Sequence, residues 1–491
     1  MTRRRSYTQL RDQRENDYSI KQRATIEHSH SSWFTLVAPS LSRLSTAERT
    51  SGMTSCLTRR GLNLNQPKCP SLDRTITVGG SALLSFNGVV GAAIFALPAT
   101  LLVDWGTFSP WLFLIVAVAA FLVIIPFTRS AAAFTESGGP ATYGLVFGRL
   151  AGFELGWIYY VAKSASMAAN LNVFADYAAG WWRAGGGQGR IAIMLFAWTA
   201  LIVVNLFGMR RALAFLSGFT LLKALPLVAV AVAAFMIFWP PPVPILADRA
   251  TSVEAGFLVV FYAYCGFENA VIPTGETKEP ASTLPRAVGL TIIVTAILYF
   301  VVQLGYVSAF HQASSASKTP MLDLGALVAG KFGAVALTLA AICSLLGNLL
   351  GGAASTPRVT YAMGARGDLP AWFGVIRANL KSPINSIVFF GAAVALLAIS
   401  GTFTELVVVA SLARLILYPI TIAALPFAPK RPTIKFLHWV SGGAGILICL
   451  WGMTQASINA WLALLALSIG GIFLFALAAI GARRGTKSAM A

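Results

Sequence analysis

The 491-residue sequence predicts an all-α integral membrane fold of twelve transmembrane helices, ten of them in two successive groups of five. Three observations carry that expectation. The composition is 56% hydrophobic and only 11% charged, with a mean hydropathy of +0.71, whereas soluble domains carry about 25% charged residues. Apolar stretches of membrane-crossing length recur along the chain, and a hydrocarbon core about 30 Å thick needs roughly 20 such residues per helix. Two of these stretches, the first and the sixth, are interrupted by glycine and proline at corresponding places.

Residues 1–74 are expected to form a disordered basic tail, rich in Arg, Ser and Thr and weakly periodic. TRRRS is not followed by an apolar run, so a secretory signal is not expected. Asp12, Glu15 and Asp17 weaken a transit-peptide reading. Attraction to anionic lipid, or a true start at Met53, are equally plain readings of the same segment.

The twelve expected spans are 76–102, 110–134, 150–181, 191–208, 212–238, 254–275, 286–310, 332–362, 384–400, 404–426, 436–454 and 457–481. They divide the chain into a first repeat (75–239), a second (254–426), a closing pair (432–482) and a short tail (483–491). The net charge of +19 follows this topology. With the N-terminus inside, the tail 1–74 holds 13 Lys and Arg, the remaining inside segments hold 16 and the outside loops hold five. That asymmetry obeys the positive-inside rule and puts both termini in the cytoplasm of a multi-pass protein of the plasma (inner) membrane. The basic balance therefore reports orientation in the bilayer, and no nucleic-acid partner is expected.

Cys56, Cys69, Cys265, Cys343 and Cys449 are scattered without paired spacing, so neither disulfides nor a zinc site is expected. His28 and His30 lie in the polar tail, where a solvated segment is the plainer reading than a metal site. No metal or cofactor is expected.

The first span contains GVVGAAIFALP (88–98). Glycine weakens a helix and proline removes a backbone donor; within a membrane such loosening is tolerated only where the backbone is buried in protein or lines a cavity. The sixth span, GFLVVFYAYCGFENAVIPTGE (256–276), repeats the interruption with Gly266, Glu268, Asn269, Pro273 and Gly275. Paired interruptions in two halves point to the substrate site of an inverted-repeat transporter. An unwound segment exposes N–H groups at one half-helix N-terminus and C=O groups at another half-helix C-terminus. A zwitterion satisfies both, and an amino acid is the simplest one. A choline-like or nucleobase substrate, using part of such a site, stays open.

These residues resemble the amino acid–polyamine–organocation permeases. GVVGAAIFALP is similar to that family's first-span signature, and FYAYCGFENAVIPTGETKEPASTLPRAV (261–288) to its sixth span and the following loop. TPRVTYAMGARGDLPAWF (356–373) is similar to its eighth-span exit, and SGG with Pro140 and Tyr143 to the entry of span three. Four patterns in the family's order cover roughly 76–426. The resemblance implies a LeuT-type five-plus-five inverted repeat with discontinuous helices 1 and 6. It also implies that the backbone amides of Ala92 and Ala93, after Gly91, take a substrate carboxylate. The ammonium would then meet the carbonyls of Val89, Tyr262 and Cys265, beside Gly266, with Tyr262 or Tyr264 as an aromatic wall. One departure stands out: Ala93 occupies a position where the family usually has glycine. Alanine keeps the amide but narrows the floor.

Ionisable residues inside spans are costly and are candidates for function. Lys223, in span five, resembles the lysine that takes the place of sodium in proton-coupled relatives, which implies a proton-coupling role through span-one carbonyls. Its plain alternative is a lysine reaching for the inner interface. Lys163, in span three, faces the pocket in this fold; it disfavours a cationic side chain and attracts an acidic one, or else pairs structurally with Glu268. Glu268, in the family-typical GFE, is expected to order the break. Arg414, in span ten, is expected to be structural, or else to line a gate or hold a carbonyl cluster. Asp104, Arg183 and Glu405 read as solvated.

The leading reading is thus a secondary transporter of amino acids or related amines, coupled to protons or exchanging. A sodium-coupled symporter and a transporter-like sensor that binds without moving substrate are the alternatives. An enzyme is not expected, for the chain has no HExxH, P-loop or Gly-x-Ser-x-Gly motif. Nor does it show the charge ring or repeated filter of a channel.

Overall fold

A computed structural model describes residues 76–134, 139–182, 187–206, 209–247, 253–272, 274, 277–312, 315–376, 382–428 and 436–488. The basic tail 1–74, together with Ser137, Arg183, Pro273 and Gly275, lies outside the described residues. Among the described residues all regular structure is helical, apart from one isolated bridge between Ile76 and Thr277.

In chain order the helices are α1 (Val78–Val89), α2 (Ala93–Trp105), α3 (Ser109–Ala133), the single turn α4 (Pro140–Tyr143), α5 (Arg149–Trp182), α6 (Gly187–Leu206), α7 (Met209–Ile237) and α8 (Val253–Ala263). They continue with α9 (Glu268–Val271), α10 (Pro280–Phe310), α11 (Pro320–Ser355), α12 (Pro357–Ala365), α13 (Ile384–Ser400), α14 (Phe403–Ala423), α15 (Phe436–Thr454) and α16 (Ile458–Ser488). Helix occupies some part of every expected stretch. Among the described residues, seven helical runs are long and apolar enough to cross a membrane, and Lys223–Ile237 and Ile384–Ser400 are shorter apolar helices.

Local chemistry explains where these helices stop and bend. The Thr77 hydroxyl accepts from the Gly80 amide at 3.4 Å to start α1, and Thr402 with Glu405 forms a reciprocal capping box on α14. Proline opens α10, α11 and α12 at a position whose amide has no helical partner anyway. The region expected as one span, 332–362, is divided differently. Helix already begins at Pro320, loses helical geometry at Ala329 and Gly330 (φ +56° at the glycine), and starts afresh at Pro357. Hydropathy averages over windows and is blind to such kinks; the left-handed φ, which glycine tolerates, is what makes this one.

α5 is the central helix. α14 and α11 pack against it, while α10 packs against α3 and α7. Its residues from Phe153 to Ala179 are nearly all buried, including Lys163, Ser164, Ser166, Asn170 and Asn172. A helix surrounded by protein can carry polar groups because neighbouring helices satisfy them. α6 shows the opposite design. Only Met194, Trp198, Ile202 and Asn205 are buried, a stripe at three- to four-residue spacing, and Phe196 on the other face is 79% exposed. α15 packs on α3 and α14, outside the central group.

Candidate functional site

The first interruption is real backbone discontinuity. α1 ends at Val89, residues 90–92 leave the helix, and α2 begins at Ala93. The second lies between Ala263 and Glu268, where Gly266 takes φ +114°, a conformation that other residues rarely adopt. The two breaks touch through their glycines. A Cβ placed on Gly88 would sit 2.1 Å from the Gly266 carbonyl oxygen, and one on Gly266 would sit 2.1 Å from the Gly88 oxygen. No side chain fits there, so both glycines are required by the packing of backbone against backbone.

Beside this contact lies a narrow cleft of about 20 Å³. Val89, Ala92, Ala93, Lys163, Tyr262, Cys265 and Gly266, all singled out from the sequence, line it. Gly91 stands just behind the wall, where an added Cβ would come within 3.0 Å of both Asn170 Oδ1 and Asn348 Nδ2. Ser166, Met167, Asn170, Asn348 and Arg414 also line the cleft; of these, only Arg414 was marked beforehand.

The backbone groups of the break are used differently from the expectation. The Ala92 amide, expected to face a carboxylate, donates to Asn170 Oδ1 at 2.9 Å. The Ala93 and Ile94 amides, at the N-terminus of α2, meet no acceptor among the described residues. They are open donors at the positive end of a helix dipole. At the other side, the final carbonyls of α1 are already engaged. Asn348 Nδ2 donates to the oxygens of Asn87 (3.3 Å) and Gly88 (3.0 Å). The Val89 oxygen accepts from the Tyr299 hydroxyl at 3.1 Å and the Gly91 amide at 2.9 Å. The Val90 oxygen accepts from Lys223 Nζ at 3.1 Å and from Ser344 Oγ at 3.2 Å. In the second break the Tyr262 carbonyl accepts from the Cys265 amide, while the Cys265 carbonyl accepts nothing among the described residues.

Four buried charges surround these segments. Arg414 Nε bonds Glu268 Oε1 at 2.8 Å, both side chains 2% exposed, and the Tyr418 hydroxyl donates to the same oxygen at 2.7 Å. Arg414 also donates to the Ala410 carbonyl of its own helix. It therefore holds a carboxylate and one carbonyl. Lys163 Nζ donates to Asn269 Oδ1 at 3.0 Å and stands 3.7 Å from Glu268 Oε2. Glu268 thus ties α9 to α14 and α5, directly beside the break. Lys223 is 2% exposed, with its ammonium on the Val90 carbonyl and 5.6 Å from the Phe86 ring centre. It does not extend toward an aqueous interface. Among the expected solvated residues, Glu405 is exposed and Asp104 is half-buried.

Asn170, Asn348, Tyr299 and Ser344 carried no signal beyond being polar residues within apolar stretches. Buried asparagine in a span is itself a marker, since its amide must find partners. Applied to α5 and α11, that rule would have found Asn170 and Asn348.

An uncharacterized transporter of Mycobacterium bovis is 26% identical over 84% of this chain and 92% of its own length. A methylthioribose transporter of Bacillus subtilis is 25% identical over 81% of this chain and 93% of its own. A branched-chain amino acid permease of the same organism is 25% identical over 78% and 88%. The amino acid permease family pattern matches residues 76–490. This chain, a membrane protein with two broken helices meeting at a charged cleft, belongs to the amino acid permease family.

Proposed function

We propose that the protein is a secondary active transporter of amino acids or related amines, working by alternating access across the plasma membrane with both termini cytoplasmic. Twelve spans, ten of them in a five-plus-five inverted repeat (75–239 and 254–426), supply the scaffold. The observation that carries this reading is the meeting of the two breaks at Gly88 and Gly266, beside a cleft that offers the open amides of α2. Discontinuous helices in corresponding halves are the place where such proteins bind substrate and rock. The substrate carboxylate takes the Ala93 amide. The Cys265 carbonyl, beside Gly266, accepts from the ammonium.

Proton coupling through Lys223 is the favoured mode. A charged Lys223 holds the Val90 carbonyl at the end of α1 together with Ser344. A neutral Lys223 holds it less strongly, because hydrogen bonds from charged donors are about twice as strong as neutral ones. Protonation thereby changes the anchoring of α1. Sodium coupling fits less well, since the ammonium already sits on the carbonyl that a cation would use. Glu268 keeps the second break in shape and Lys163 forms part of the substrate wall.

The test is uptake into proteoliposomes across a panel of labelled amino acids and polyamines, with and without an imposed pH gradient. Transport of at least one amino acid, stimulated by the gradient, is expected. Lys223→Ala should abolish the stimulation while substrate still protects the protein in a binding assay. Full proton-driven uptake by that variant would remove the coupling role, and binding without any transport would favour a sensor.

A further inference from the structure

The charges and open groups of the cleft restrict the substrate further, granted the transport reading above. Lys163 and Arg414 both line the cleft, and no Asp or Glu does. Glu268 lies behind them, and its short contacts go to Arg414 and Tyr418. Arg414 is therefore matched. Lys163 shares the same carboxylate, pairing with Glu268 Oε2 at 3.7 Å while donating to the neutral Asn269 at 3.0 Å. One carboxylate stands against two cations, in a site whose side chains are 2–3% exposed.

The backbone points the same way. The carbonyls of Asn87, Gly88 and Val89, and that of Val90 just beyond α1, are engaged by Asn348, Tyr299, Lys223, Ser344 and the Gly91 amide, whereas the Ala93 and Ile94 amides are open. The engaged carbonyls leave the end of α1 little capacity to accept from a cation, while the Ala93 amide at the cleft can donate to an anion. A cationic side chain entering it would add a second unbalanced positive charge away from water, and like-charge juxtaposition in such a place costs several kilocalories per mole. An anionic one would remove the imbalance.

We infer that the cleft selects small substrates of net negative charge. The class is an acidic amino acid whose α-carboxylate meets the open amides of α2 and whose side-chain carboxylate meets Lys163. Its single ammonium has the Cys265 carbonyl as acceptor.

The test is competition in proteoliposomes of the full chain. Uptake of labelled glutamate is measured against unlabelled glutamate, aspartate, leucine, lysine and succinate, for the wild type, Lys163→Gln and Lys163→Arg. Glutamate and aspartate are expected to compete best, with lysine about 100-fold weaker. Lys163→Gln should lose roughly tenfold of the preference for glutamate over leucine, and Lys163→Arg should restore most of it. Unfolding midpoints of the purified variants close to that of the wild type show that they fold. Lysine competing as well as glutamate, or leucine moving while glutamate does not, overturns the inference and leaves transport intact. An unchanged glutamate-to-leucine ratio in Lys163→Gln overturns it as well. Succinate competing as well as glutamate overturns the assignment to an amino acid. If none of these compounds moves, the transport reading itself falls.

Discussion

Glu268→Gln isolates the worth of the buried charge network. The substitution keeps an oxygen for the Tyr418 hydroxyl, which lies 2.7 Å from Oε1. It removes the negative charge that Arg414 meets at 2.8 Å with both side chains 2% exposed, and the one that Lys163 approaches at 3.7 Å. Two cations are then buried with no anion between them. Breaking a buried pair by removing one partner costs about 3–5 kcal/mol, because the remaining charge stays desolvated. Taking roughly 2 °C per kcal/mol for a large domain, the unfolding midpoint should fall by about 6–10 °C. The assay is thermal unfolding of purified protein in one detergent at one scan rate, so that irreversibility affects all variants alike. The double variant Glu268→Gln/Arg414→Met should recover more than half of that loss, since the stranded guanidinium is gone. A midpoint within 1 °C of wild type for Glu268→Gln, or a double variant worse than the single, would refute the reasoning.

Three further outcomes follow from the glycines. Gly88→Ala should destabilise by at least the ~1–3 kcal/mol typical of overpacking, because its methyl would meet the Gly266 carbonyl rather than a movable side chain. Gly79→Ala, exposed in the same helix with nothing within 4 Å of the new methyl, should be neutral or stabilise by up to ~1 kcal/mol; paired unfolding midpoints decide. Gly91→Leu should abolish substrate protection in a binding assay, since even its Cβ presses on Asn170 and Asn348 at 3.0 Å. Retained affinity would place the site elsewhere.

The helical class and the two breaks were legible because their signals are local: apolar runs of fixed length, and glycine where a helix should continue. Ala93, Lys163, Tyr262 and Cys265 could be placed beside one another through the resemblance to the permeases, whose pattern the two breaks carry. The partners of the break were not legible. Asn170 and Asn348 reach it from α5 and α11, 78 and 260 or more positions away along the chain, and nothing in their own neighbourhood announces that distance. The partner of the Ala92 amide, Asn170, was hidden for the same reason: a backbone donor says nothing of which side chain reaches it. Lys223 could be assigned to the first-span carbonyls, but the choice of Val90 and the help of Ser344 needed three dimensions. The kink at Ala329–Gly330 stayed hidden because a glycine in an apolar run is ordinary until its φ is known.

The open donors at the start of α2 belong to the main chain, and this has a consequence for how such a protein can diverge. A side-chain ligand is lost with one substitution, whereas the amides of Ala93 and Ile94 survive almost any replacement except proline. The alanine that stands in place of the usual glycine is therefore a change of contour and not of chemistry. Constraint falls instead on Gly88 and Gly266, where two stretches of backbone leave no volume for even a methyl. Substitutions in the walls of the cleft can thus change its contour and charge while the backbone contact that presents those amides stays as it is.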